Sequence, residues 1–169
     1  MKKLIFIAAL IAMFCCGRSF ANPKRGKTNW KSLINGSVKV TAFSMDTQYE
    51  VSEKTAKKAS IFHGSYLVSQ KLISNPKDIN QLKKLVLSLD GSYQPEMVSL
   101  CEPSYRHGIL FQKGSEKVEA VICFECGIAE VFEPNGKSHS AYVDEKWLKP
   151  LNALYVRNKM RLPSYYSHH

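Results

Sequence analysis

The sequence predicts an α+β protein of one domain, an antiparallel sheet with a central and a C-terminal helix packed on it. Three observations carry this. Apolar residues alternate with period two in several short runs separated by turn dipeptides, as half-buried strands require. Residues 78–89 and 144–160 instead repeat apolar side chains at spacings of three and four. The strand-like runs neighbour one another along the chain, which favours antiparallel pairing with helices on one face.

Taken in order, residues 22–36 form a polar N-terminal segment containing Pro23 and Gly26, with a short apolar stretch from Trp30 to Ile34 closed by Asn35-Gly36. Residues 37–44 alternate Val38, Val40 and Ala42 against Lys39, Thr41 and Phe43, a strand pattern. Residues 46–60 are polar and read as a loop or short helix. Residues 62–73, rich in β-formers, read as one long strand with Gly64 near its start. Asn75 or Asp78 is placed to cap the central helix, whose apolar face is Ile79, Leu82, Leu85, Val86 and Leu89, and Asp90-Gly91 ends it. A short apolar segment covers residues 97–101. Two strands, 107–112 and 117–124, flank Lys113-Gly114-Ser115-Glu116, a hairpin turn. Residues 128–132 give a further strand, Glu133-Pro134-Asn135-Gly136 a turn, and residues 141–143 one more short strand. The last helix carries Trp147, Leu148, Leu151, Leu154 and Tyr155 on one face. Pro150 sets its start or kinks it, and Pro163 ends it. The compact domain is therefore expected over residues 37–163, with a tail at 164–169.

The first residues point to export. Lys2 and Lys3 precede an uncharged apolar run, residues 4–14. That suits a signal peptide and is too short to span a bilayer, which needs about 20 residues. Ser19-Phe20-Ala21 supplies small residues at the two positions a leader peptidase reads, so residues 1–21 are read as a signal peptide and the mature chain is expected in the periplasm or secreted, with no transmembrane segment. Lipid attachment at Cys15 or Cys16 is the alternative. Bulky Met13 and Phe14 occupy positions where a lipoprotein signal prefers small side chains. Cleavage removes Lys2, Lys3 and Arg18 from 24 basic residues, leaving 21 against 14 acidic ones, a formal +7. The positive charge is scattered and does not interleave with aromatics, so no nucleic-acid partner is expected.

Chemistry-bearing side chains concentrate in one place: Cys101, Arg106, His107, Cys123 and Cys126. A two-residue turn at Gly114-Ser115 sets Ile109 opposite Ala120, Phe111 opposite Val118 and His107 opposite Ile122. One face then carries Ile109, Phe111, Val118, Ala120, Ile122 and Phe124, while Cys123 falls on the other face opposite Arg106. Three chemistries compete. In an extended strand Cys123 and Cys126 lie about 10 Å apart, beyond the roughly 7 Å a disulfide spans. That leaves Cys101 to reach across, with Cys126 the better match by level and Cys123 unpaired. Zinc held by Cys101, His107, Cys123 and Cys126 is the second reading, since the ligand types suit the metal. Against it, a CxxC in a strand sends its sulfurs to opposite faces. A Cys/His enzyme is the third, with no Asn or Asp visibly placed to orient His107.

The pattern resembles a little-characterised family of small bacterial proteins with no established activity. The matching stretches are Phe62-His63-Gly64, Cys101 with Pro103 and Arg106-His107-Gly108, Ile122 to Cys126, and Leu151-Asn152 to Pro163. This chain departs from it by placing Ser104-Tyr105 between the proline and Arg106. The resemblance implies that the arginine, the histidine and the three cysteines act as one constellation.

The expected function is non-enzymatic binding of a protein or cell-envelope component, inhibitor- or immunity-like by class, without a cofactor. A zinc-binding domain and a Cys/His-dependent enzyme are the alternatives. The exported species should begin at Asn22. Its intact mass is expected to match cleavage after Ala21, and a full-length or acylated mass would contradict the assignment.

Overall fold

The computed structural model describes residues 29–89 and 103–167. Expectations for the leader, for Asp90-Gly91 and for residues 97–101 lie outside the described residues. Seven strands form one antiparallel sheet: β1 (Lys39–Asp46), β2 (Ile61–Phe62), β3 (Ser65–Ile73), β4 (His107–Lys113), β5 (Glu116–Cys123), β6 (Ile128–Phe132) and β7 (Ser138–Tyr142), in the spatial order β2-β3-β1-β4-β5-β6-β7. The helices are α1 (Trp30–Asn35), α2 (Glu53–Ala56), α3 (Pro76–Leu87), α4 (Leu148–Arg157) and α5 (Ser164–Ser167), with a 3-10 turn at Glu145–Trp147. The protein is an α+β domain, as the periodicities imply. Among the described residues no helix is long and apolar enough to cross a membrane.

The larger core lies between one sheet face and α1, α3 and α4. Val40, Ala42, Ile109, Phe111, Val118, Ala120, Ile122 and Val131 meet Leu33 and Ile34 from α1, Leu82, Leu85 and Val86 from α3, and Leu151, Leu154 and Tyr155 from α4. The β4–β5 register is the one the Gly114-Ser115 turn dictates, with Ile109 facing Ala120 and His107 facing Ile122. Asn75 caps α3 through its side chain, accepting from the Lys77 N–H at 2.9 Å. Asp78 is instead a buried anchor: it accepts from Arg157 Nε (2.8 Å) and Asn158 Nδ2 (2.6 Å), tying α3 to the end of α4. Burial pushes the Asp78 carboxyl up, but the Arg157 and Asn158 bonds outweigh it and hold the group below its usual range. Pro150 falls in the first turn of α4, where backbone N–H groups have no helical partner, so it neither breaks nor kinks the helix.

The apolar stretch before Asn35-Gly36 is the helix Trp30–Asn35, which buries Leu33 and Ile34. Two sequence expectations change. The run at residues 62–73 is not one strand. His63 (φ 46°) and Gly64 (φ 81°) take the left-handed conformations of a two-residue hairpin turn, so β2 folds back on β3. Within the tail, Ser164–Ser167 forms one turn of helix. Most consequential, residues 124–127 form a tight turn that pairs Cys123 with Ile128. Gly127 at φ 65° permits the reversal, and its N–H donates to the Phe124 carbonyl at 3.1 Å.

The face away from the helices is also covered. Phe43, Met45 and Val121 form a second cluster with Phe62, Leu67, Tyr105, Leu110 and Phe132. Phe62 stacks on Phe43 at 4.4 Å, and a Cβ on Gly108 would meet the Phe62 ring at 3.0 Å. His63 stacks on Phe132 at 3.9 Å and bonds Glu119 at 2.8 Å. The two histidine-glycine pairs of the sequence thus meet through Phe62.

Leu85 is 1% exposed at the centre of the α3 contact. Leu85→Ala should cost about 2–5 kcal/mol in denaturant unfolding. A loss under half a kcal/mol would mean that α3 is peripheral.

Candidate functional site

The site is built where β4 begins, β5 ends and the C-terminal tail crosses them. Arg106 precedes β4 and is 7% exposed. Its Nε donates to Glu125 Oε1 at 2.7 Å, and its Nη1 donates to Glu50 Oε1 at 2.6 Å. Glu50 comes from the loop after β1, where it also accepts from the Thr47 N–H (2.9 Å) and hydroxyl (3.1 Å). The guanidinium lies over the Tyr165 ring, 4.6 Å from its centre. Burial disfavours charge on both partners, yet the pair wins: Glu50 is held below the usual carboxylate range and Arg106 above its own ordinary value.

The tail completes the cluster. Ser164 donates through its N–H (2.7 Å) and hydroxyl (2.6 Å) to buried Asp46, the last residue of β1. This sets Tyr166 to donate its hydroxyl to Glu125 Oε1 at 2.7 Å, with its ring 5.5 Å from His107. Burial and the Glu125 charge both push the Tyr166 hydroxyl far above its ordinary value, so it stays a neutral donor.

Cys123 closes β5 on the face opposite His107's neighbour Ile122. It is a free thiol and fully buried. Its Sγ faces Glu125 Oε2 at 3.6 Å and accepts from the Cys126 N–H at 3.3 Å. Burial, with the Glu125 charge adding to it, pushes the thiol up to about 11. Standing opposite Arg106, which by itself would favour a thiolate, does not activate Cys123. The arginine is consumed by Glu50 and Glu125, and the carboxylate beside the sulfur opposes thiolate formation. Cys126 sits in the turn and, unlike Cys123, is not free. Cys101 lies outside the described residues.

His107 projects to the helix side, fully buried against Phe124 and Tyr155. Asn152 of α4 accepts from its Nε2 at 2.8 Å, which assigns the proton to Nε2. An orienting amide is therefore present, contrary to the sequence expectation, but strand alternation sends His107 and Cys123 to opposite faces. No nucleophile–base pair is formed between them. Among the described residues no group of three His, Cys, Asp or Glu side chains is placed to hold a metal. The structure thus joins Arg106, Cys123 and Cys126 around Glu125 and leaves His107 on the other side of the strand.

Glu50, Tyr165 and Tyr166 were not singled out by sequence, and Asn152 appeared there only within the Leu151-Asn152 stretch of the resemblance, with no role given. Glu125 had a signal, since it lies inside the CxxC. Beside the cluster Phe124, Glu125, Glu145, Leu148, Tyr165 and Tyr166 line an open hollow of about 380 Å³. Comparison with protein-family models, with characterised proteins and with solved structures gives no match to this chain.

Burial drives the His107 pKa down to about 4, with the Asn152 bond and the Glu125 charge opposing and Arg106 assisting. The folded state then binds fewer protons than the unfolded state below about pH 6.5, so stability falls as pH drops from about 6.5 toward 4. The depressed carboxylates of Glu50, Asp78 and Glu119 add their own losses only below their unfolded values. Between pH 6.5 and 4.5 the wild type should lose about 2–3 kcal/mol more than His107→Gln. Parallel pH profiles for the two proteins would contradict a neutral, buried His107.

Proposed function

We propose that this protein is an exported, non-enzymatic binding domain whose ligand is a protein or cell-envelope component presenting a cationic side chain or amine. The carrying observation is the hollow beside the arginine cluster. It combines two carboxylates, Glu125 and Glu145, with three aromatic rings, Phe124, Tyr165 and Tyr166. Aromatic faces and carboxylates together favour a cation, and Arg106 already occupies the inner face of Tyr165. The formal +7 of the mature chain opposes such a ligand at long range. Screening limits that opposition to about 8 Å at physiological salt, so the local carboxylates decide the contact.

The sealed chemistry beneath supports binding over catalysis. The thiol is raised, the imidazole is inaccessible and the guanidinium is doubly paired. In this reading Cys101 is bonded to Cys126 and leaves Cys123 unpaired. That agrees with Cys123 being the free cysteine of the described pair. The bridge closes a loop of about 25 residues and contributes roughly 3 kcal/mol by the chain-entropy model. Zinc at the CxxC is the second reading: the tight turn and its N–H···S bond let both sulfurs face one way, but Cys126 is not free and no third ligand stands beside them among the described residues. Zinc bound to purified protein with no disulfide would select that reading.

Titration with N-acetyl-lysine methylamide tests the hollow, with the glutamate analogue as control. The lysine compound should shift the Phe124, Tyr165 and Tyr166 resonances and the glutamate compound should not. Tyr165→Ala should weaken binding by about 1 kcal/mol, roughly fivefold. Equal response to both compounds, or none, would overturn the assignment.

A further inference from the structure

Two buried polar atoms have no hydrogen-bond partner among the described residues: Ser44 Oγ and His107 Nδ1. They are not scattered. Ser44 and His107 are direct cross-strand partners in the β1–β4 ladder, so their side chains leave the sheet on one face. Both residues are 0% exposed. Directly opposed side chains in an antiparallel pair have Cβ atoms about 4.5–5.5 Å apart, a span that one bridging molecule closes when the two polar ends do not touch.

The chemistry of the two atoms is complementary. Asn152 accepts from Nε2, so Nδ1 presents a lone pair and needs a donor. A serine hydroxyl donates once and accepts twice. A third group stands next to both. The Tyr155 hydroxyl shares its one proton between the carbonyls of Phe43 (3.0 Å) and Gly108 (3.2 Å), the residues adjoining Ser44 and His107, and its oxygen retains lone pairs. Buried polar atoms in native proteins are almost always satisfied, and an internal water typically makes about three such bonds.

We propose that Ser44 and His107 form a site for one buried water molecule, which donates to His107 Nδ1, exchanges a hydrogen bond with Ser44 Oγ and has Tyr155 as its third neighbour. The site continues a polar relay from Asn152 on α4 through His107 on β4 to Ser44 on β1. It runs through the interface between the helix layer and two central strands.

NMR on the intact, ¹⁵N-labelled mature chain tests this. The expected result is a neutral Nε2–H tautomer for His107 and a long-lived water with cross-relaxation to His107 Hε1 and Ser44 Hβ. Ser44→Val places a methyl where the hydroxyl reached the water and should abolish that signal while Asn152 keeps the tautomer. If Ser44→Val does not fold, Ser44→Ala is the second variant. It should keep a water signal at His107 with a displaced Nδ1 shift. An Nδ1–H tautomer, a direct Ser44–His107 hydrogen bond, or a folded wild type without a long-lived water there would overturn the proposal.

Discussion

Arg106 is the group whose neutralisation organises one end of this molecule. A guanidinium at 7% exposure cannot stay there uncompensated, because removing one charge from water costs several kcal/mol. Compensation comes from segments far apart in sequence. Glu50 arrives from the loop after β1, Glu125 from the β5–β6 turn and Tyr165 from the tail. The planar, multi-donor geometry of arginine is what permits these simultaneous contacts, and a lysine would not reproduce it. Satisfying Arg106 therefore fixes a loop, a turn and a terminus together.

The same satisfaction determines what the cluster does not do. Glu125 is engaged by Arg106 on one oxygen and presents the other to Cys123, so the thiol faces an anion in a buried setting. Tyr166 spends its hydroxyl on the same carboxylate and packs its ring toward His107. The Glu125 charge disfavours the thiolate and His107 lies on the other face of the strand, so the two do not form a nucleophile–base pair. The cluster's outward expression is the aromatic and acidic hollow formed by the tail and the turn.

The strand pairing and the helix faces were legible in the sequence because they rest on local periodicity and turn chemistry. Gly114-Ser115 alone sets the register that places Ile109 against Ala120. Where the reading failed, the deciding information was local but ambiguous, or not local at all. His63-Gly64 turns the chain inside a run that read as one strand, and Glu125-Cys126-Gly127 turns it where the CxxC read as extended backbone. That Arg106 is neutralised by Glu50 could not be read, because Glu50 lies 56 residues away and carries no motif. The contacts of Asn152 and the tail tyrosines were unreadable for the same reason. Their roles come from the packing of α4 and α5 across the end of the sheet.

The central claim, that Arg106 and its two carboxylates act as one structural unit, is tested most directly by a mutant cycle in urea unfolding. Arg106→Met alone should cost about 3 kcal/mol, since it leaves Glu50 and Glu125 facing each other without their cation. Adding Glu50→Gln and Glu125→Gln should recover most of that loss, with a coupling of at least about 1 kcal/mol. Strictly additive losses, or an Arg106→Met protein as stable as the wild type, would contradict the account.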